Sequence, residues 1–194
     1  MPKPPPQVTL QLRIELDEVA PAVWRRIIVP TSVRLDRLAS MLIAAMGWTN
    51  SHLHCFEIGA ERYGMHFDEY PEGEIDERSI TVLHALRGVE SFEFDYDFGD
   101  GWVHNVTVEA VIEGTFGLKH AVCVDGASAC PPEDCGGPHG FEYFLEVLAD
   151  PTHEEHEDYV NRSGGATFDR SAFDLVATNA ALQKITSRSR AVPH

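Results

Sequence analysis

The spacing of apolar residues changes at Pro30, and that change decides what the chain can fold into. Before it, Val8, Leu10, Leu12, Ile14 and Leu16 alternate with Thr9, Gln11, Arg13, Glu15 and Asp17, and a period of two sends every apolar side chain to one face of a strand. A turn around Glu18 to Pro21 leads into a second strand, Val23 to Val29, which Pro30 closes because it cannot donate to a ladder. Beyond it, Leu35, Leu38, Ala39, Leu42, Ile43 and Met46 recur at helical intervals and share one stripe. Gly47 suits the helix stop, while the start is weakly marked, Thr31 and Ser32 being the nearest cap formers. One-sided strands and a one-sided helix must bury their faces against each other, so the class is α+β.

Further along, His52 to Ile58 and Arg62 to Phe67 read as strands around a Gly59-Ala60 turn, an acidic loop runs from Asp68 to Arg78, and a short helical turn follows at Val82 to Leu86. This element order resembles a β-grasp, in which a mixed sheet packs one face on a single long helix. Ser91 to Ile112 is a hairpin around Gly99-Asp100-Gly101. A three-residue loop pairs Phe98 with Trp102, Tyr96 with His104 and Phe94 with Val106, which makes one face almost wholly apolar and gives Gly101 the left-handed position. That register puts His104 on the aromatic face, opposite to Asp95 and Asp97. A strand near Ala121 to Val124 precedes the irregular loop Cys130 to Gly137. Phe141, Phe144, Leu145 and Leu148 then mark a second amphipathic helix, Gly164-Gly165 breaks an acidic stretch, and Ser171 to Lys184 reads as helical.

With 194 residues, 43% of them hydrophobic and 24% charged, the chain is sized for one globular domain. We place it at residues 8–185, a β-grasp-like core at 8–115 and loop and helices at 116–185, with disordered ends at 1–7 and 186–194. No apolar run approaches the roughly 20 residues of a membrane helix, and the start lacks a secretory signal, so a cytoplasmic location without membrane partners is expected. Fifteen basic residues against 31 acidic ones give a net charge of −16, which argues against direct nucleic-acid binding. The nucleotide-binding, dinucleotide-binding and serine-hydrolase signatures are absent.

Two stretches concentrate reactive side chains. In Asp95 to His104, the carboxylates of Asp97 and Asp100 and the imidazole of His104 are suited to holding a divalent metal or to acid–base work. In Pro131 to His139, Glu133 and Asp134 stand side by side on a constrained loop. His52 and His54 are additional ligands, and Trp48 and Trp102 offer contact area to a partner. A weaker zinc set is Cys123, Cys130, Cys135 and His139, whose spacing matches no paired C-x2-C pattern. His153-Glu154-Glu155-His156 is one residue short of H-E-x-x-H and reads as a solvated helix face.

Taken together, Trp24-Arg25-Arg26, Met46-Gly47-Trp48, His52-Leu53-His54, Tyr96 to His104 and Pro131 to Gly137 resemble the Ri-plasmid ORF-three-like family, whose members are often labelled transposon-passenger TnpR proteins. The resemblance covers residues 8 to 185 and implies a plasmid and mobile-element context without an activity. The resolvase label gains nothing from the residues, which lack a nucleophilic serine beside arginines and a basic tail. Phe141 stands where the family has a tyrosine and Val160 where it has a tryptophan. The reading that follows is a binding or regulatory module for a protein or small ligand, in a groove between the hairpin and the Pro-Pro-Glu-Asp loop. The alternative is a metal-dependent hydrolase using Asp97, Asp100, His104, Glu133 and Asp134.

Overall fold

Helix α1 (Leu35–Met46) forms where the stripe predicts it, and Gly47 ends it in the left-handed region at φ 101°, its N–H returning to the Ile43 and Ala44 carbonyls. More than one stripe is buried, however: Met41, Ala44 and Ala45 are covered as well. The extra cover comes from helix α5 (Leu175–Arg188), whose Leu182 joins the same core and whose Ile185 carbonyl accepts from Arg37. The computed structural model describes residues 7–65, 74–115, 118–163 and 168–188. The proline-rich lead at 1–6, most of the acidic loop at 66–73, the Gly164-Gly165 break and the end of the chain at 189–194 lie outside them.

Among the described residues, eight strands form one mixed sheet in the order β5-β4-β3-β6-β7-β1-β2-β8. They are β1 (Gln7–Leu16), β2 (Trp24–Pro30), β3 (His54–Ile58), β4 (Glu61–Gly64), β5 (Ile75–Asp76), β6 (Ser91–Tyr96), β7 (Trp102–Thr115) and β8 (Val122–Ala127). The class is α+β, as expected, with five α-helices among the described residues, the others being α2 (Val82–Ala85), α3 (Gly137–Ala149) and α4 (His156–Arg162). The parallel component is confined to the edge pair β4 and β5, and the central neighbours β1 and β7 run antiparallel. On β1, Leu10, Leu12, Ile14 and Leu16 are all buried, so the alternation has its predicted meaning.

The hairpin differs in register from the expectation. Tyr96 pairs with Trp102, Phe94 with His104 and Phe92 with Val106, and the connection is Asp97 to Gly101. Asp97 leaves the ladder because its N–H donates to the Leu53 carbonyl at 2.9 Å, while its own carbonyl accepts from Gly101. The displacement is an even number of residues, so each side chain keeps its face. Gly101 is left-handed at φ 71°, as predicted, but so is Asp97 at φ 59°. Phe98, placed on the aromatic face by the shorter loop, is half exposed.

Other boundaries moved for local reasons. His52 precedes β3 rather than belonging to it. A two-residue strand, β5, arises at the end of the acidic loop, where a continuous loop was expected. Helix α5 starts only after Asp174, whose carboxylate accepts from the N–H groups of Val176 and Ala177 at 2.9 Å, and it runs on through Arg188 into the expected tail. His153 to Glu155 form turns ahead of α4 instead of a helix face.

Candidate functional site

The segment after α1 organises the site. Trp48 turns inward, stacks on Tyr96 with ring centroids 5.2 Å apart and donates its indole N–H to the Pro131 carbonyl at 2.8 Å. Trp102 lies 5.6 Å away and is 1% exposed. Both tryptophans expected to offer contact area are therefore core side chains, and their aromatic bulk is spent on holding the hairpin and the proline loop together. His104 belongs to the same cluster. Its Nδ1 bonds the Phe94 carbonyl at 3.0 Å, its ring packs edge-on to Trp48, and burial pulls its pKa down to about 4, so it is neutral at ordinary pH. It is sealed in this cluster and, among the described residues, forms no ligand grouping with Asp97 or Asp100, which lie in the connection between β6 and β7.

The two reactive stretches do meet, and two of the expected site carboxylates make the joint. Glu133 accepts from the Tyr96 hydroxyl at 2.6 Å and from the Thr49 hydroxyl and N–H at 2.6 and 3.0 Å. Burial alone would raise this carboxyl, but these hydrogen bonds and the nearby His52 outweigh it and hold the group below the usual range. Asp100 accepts from the Gly136 N–H at 3.0 Å. The approach is so close that a Cβ on Gly137 would lie 2.1 Å from the Asp100 carbonyl oxygen.

Beside this joint opens a cleft of about 800 Å³. Its walls are Asp36 and Ser40 of α1, Asn50 to His54, Met65, Glu77 and Arg78 of a 3-10 turn (Glu77–Ser79), and Asp97 to Gly99 of the hairpin loop. Leu53, Phe98 and Met65 are exposed apolar side chains on it. His54 and Glu77 are both buried and joined at 3.0 Å between Nε2 and Oε2. His54 Nδ1 has no hydrogen-bond partner. Sequence reading had singled out His52, His54 and Asp97, but not Glu77, Leu53 or Phe98. Glu77 carries no spacing signal toward His54, since the pair forms only when the chain returns past β5.

His52 stands between two carboxylates. Its Nδ1 is 3.4 Å from Asp97 Oδ2 and its Nε2 is 3.3 Å from Asp134 Oδ1. Neither contact is aligned as a hydrogen bond, and Nε2 is buried without a partner. Asp97 directs its other oxygen to the Gly99 and Asp100 N–H groups, which fixes the carboxylate. Among the described residues this is the one grouping of three His, Cys, Asp or Glu side chains whose ligand atoms lie within 4.8 Å of one another. It unites His52, Asp97 and Asp134 and leaves out Asp100, His104 and Glu133.

The zinc set does not assemble. Cys123, Cys130 and Cys135 are free thiols that form no such grouping with the exposed His139 among the described residues. Cys123 is spent on β8, where its Sγ contacts the Asp125 carbonyl. Burial pushes the Cys135 thiol up to about 12 and Cys130 further still, so both are protonated thiols in the free protein.

Fold and site together define an α+β protein with an eight-stranded mixed sheet and an open cleft of mixed polar and apolar lining beside β3 and the β6–β7 loop. The chain belongs to the plasmid pRiA4b ORF-3-like protein family, whose model matches residues 8–177. The uncharacterized protein y4hQ of Sinorhizobium fredii is 39% identical over 181 residues, covering 92% of this chain and 93% of its own. The crystal structure of MM3350, a protein of unknown function from Methanosarcina mazei Go1, has a TM-score of 0.77 and 32% identity, over 87% of this chain and 96% of that one. Among the described residues no helix is long and apolar enough to cross a membrane.

Proposed function

We propose that this protein is a binding or regulatory module of plasmid and mobile-element context that takes a small ligand, or a side chain of a protein partner, in the cleft beside β3. One observation carries the reading: exposed Leu53, Phe98 and Met65 surround a polar interior of His52, Asp97 and the His54–Glu77 pair. Folding alone gives no reason to hold a histidine–glutamate pair under an apolar rim, whereas a ligand with an apolar body and a polar or cationic head matches both parts. Acidic groups in the walls (Asp36, Glu77, Asp97) outnumber Arg78, which favours a cationic head. The frame is read as β-grasp-like, supported by the nine buried residues of α1 that share one core with the mixed sheet. No nucleic-acid or membrane partner enters this reading, and the location it implies is cytoplasmic.

A metal-dependent hydrolase is the weaker reading. His104 is sealed in the aromatic core, while Glu133 and Asp100 are engaged in tying loops together, so three of its five residues are unavailable for a reacting group. The test is a screen of cationic amphipathic compounds and basic peptides by amide NMR, with a chelator present. Shifts at residues 50–54, 77–78 and 97–99 are expected, and Phe98→Ala, a change at an exposed position, weakens the hit by about 1 kcal/mol or more. A screen without shifts at these positions, with phosphoester turnover by the purified protein, overturns the proposal.

A further inference from the structure

We infer that His52, Asp97 and Asp134 bind one divalent transition-metal ion at the edge of the cleft. The inference rests on the cleft reading and deepens it by adding an inorganic component to the site. One imidazole nitrogen and one oxygen from each carboxylate lie within 4.8 Å of one another. Metal bonds of about 2.0–2.2 Å at tetrahedral or octahedral angles separate neighbouring donors by about 3–3.5 Å; one imidazole gives one nitrogen to an ion, and the Nε2 to Asp134 Oδ1 separation of 3.3 Å falls in that range, while Asp97 Oδ2 lies 3.4 Å from the other ring nitrogen, Nδ1. Those separations are poor for hydrogen bonds that are also misaligned, and the buried His52 Nε2 has no other partner.

Charge points the same way. Two carboxylates flank the imidazole, and a pair of negative charges suits one dication. Asp97 is fixed by its hydrogen bonds to Gly99 and Asp100, so it presents a single free oxygen toward the imidazole. Asp134 is three-quarters exposed at its side chain, and it is carried by a loop that Glu133 and Gly136 anchor on either side. A mixed nitrogen and oxygen donor set with one histidine suits zinc or manganese better than calcium. Three protein donors leave coordination positions for water or for a group of the ligand in the cleft.

The experiment uses untagged full-length protein, stripped with chelator and titrated calorimetrically with Zn²⁺ alone and Mn²⁺ alone. One equivalent binding at micromolar or tighter dissociation constant is expected, with Mn²⁺ broadening centred on the amides of residues 52, 97 and 134. Asp134→Asn, at an exposed position, and His52→Gln each weaken binding by at least about tenfold, while keeping the native NMR spectrum. Absence of binding up to millimolar free ion overturns the inference, as does binding that Asp134→Asn and His52→Gln leave unchanged. Because the organic screen is run in chelator, the two failures separate. Ligand shifts without metal binding leave the cleft reading standing alone, and metal binding without ligand shifts leaves the ion site alone.

Discussion

His104 shows what one buried side chain costs and specifies. Its ring fills space between Phe94 and Trp48, and its Nδ1–H satisfies the Phe94 carbonyl. Because its pKa falls from 6.5 to about 4 on burial, the unfolded chain takes up a proton in that interval that the folded chain refuses. Stability therefore declines as pH drops from 6.5 to about 4 and the His104 contribution levels off below that, a total of about 3 kcal/mol. Asn at this position keeps a donor near the Phe94 carbonyl and cannot titrate. Urea unfolding of His104→Asn between pH 7 and 5 is expected to show a flatter pH dependence than the parent chain, and equal slopes would remove this account. The face of His104 was legible in the sequence, since alternation along β7 allowed no other. Its burial beneath Trp48 was not, because Trp48 arrives from a segment that alternation says nothing about.

At the scale of elements, the decisive contact is between the β6–β7 loop and the loop before α3. Gly137 is left-handed at φ 71° and lies against the Asp100 carbonyl, so it is required both for its backbone angle and for its missing side chain. Gly137→Ala is expected to cost more than about 2 kcal/mol and to raise the hydrogen-exchange rate of the Gly136 amide, which bonds Asp100. Retained exchange protection would show that the loops are held by Trp48 and Glu133 without this contact. A second element is finished by a side chain: the Asn179 amide of α5 donates to the Cys123 carbonyl and accepts from its N–H, at 2.9 and 3.0 Å, as a neighbouring strand would. Covering an edge strand in this way limits its pairing with other chains. The apolar content of the helices was readable, but the hairpin register was not. A three-residue and a five-residue loop bury the same face, and only the Asp97 N–H bond to Leu53 chooses between them.

Across the whole molecule, Arg25 joins parts that lie far apart in sequence. It occupies the buried face of β2 between Val23 and Ile27, and its guanidinium donates to the carbonyls of Trp24, Ala45, Ala127 and Ser128. The ring of Phe173, just ahead of α5, lies 4.5 Å away. The charge thus meets the last turn of α1, where carbonyls concentrate negative potential. Arg25→Met is expected to destabilise the protein by about 3 kcal/mol or more, because buried carbonyls lose their donors, and to speed hydrogen exchange in α5 ahead of the sheet. Uniform exchange across the molecule would deny Arg25 this joining role. Arg25 and Arg26 are adjacent in sequence and take opposite faces of β2, as a period of two requires. Arg26 lies on the solvent side, paired with Glu109 and Asp125.

By itself the sequence determined the class, the main elements and the face that the alternating side chains of β1 and of the hairpin strands take, because those follow from periodicity and from the chemistry of glycine and proline close by. It also named His52, Asp97 and Asp134 as reactive groups. Only the tertiary structure decided which of the reactive groups stand together. His52, Asp97 and Asp134 come from three loops, and their distances depend on the Trp48–Pro131, Tyr96–Glu133 and Asp100–Gly136 contacts. Contacts of that kind span tens of residues and are chosen by packing, which no local pattern encodes.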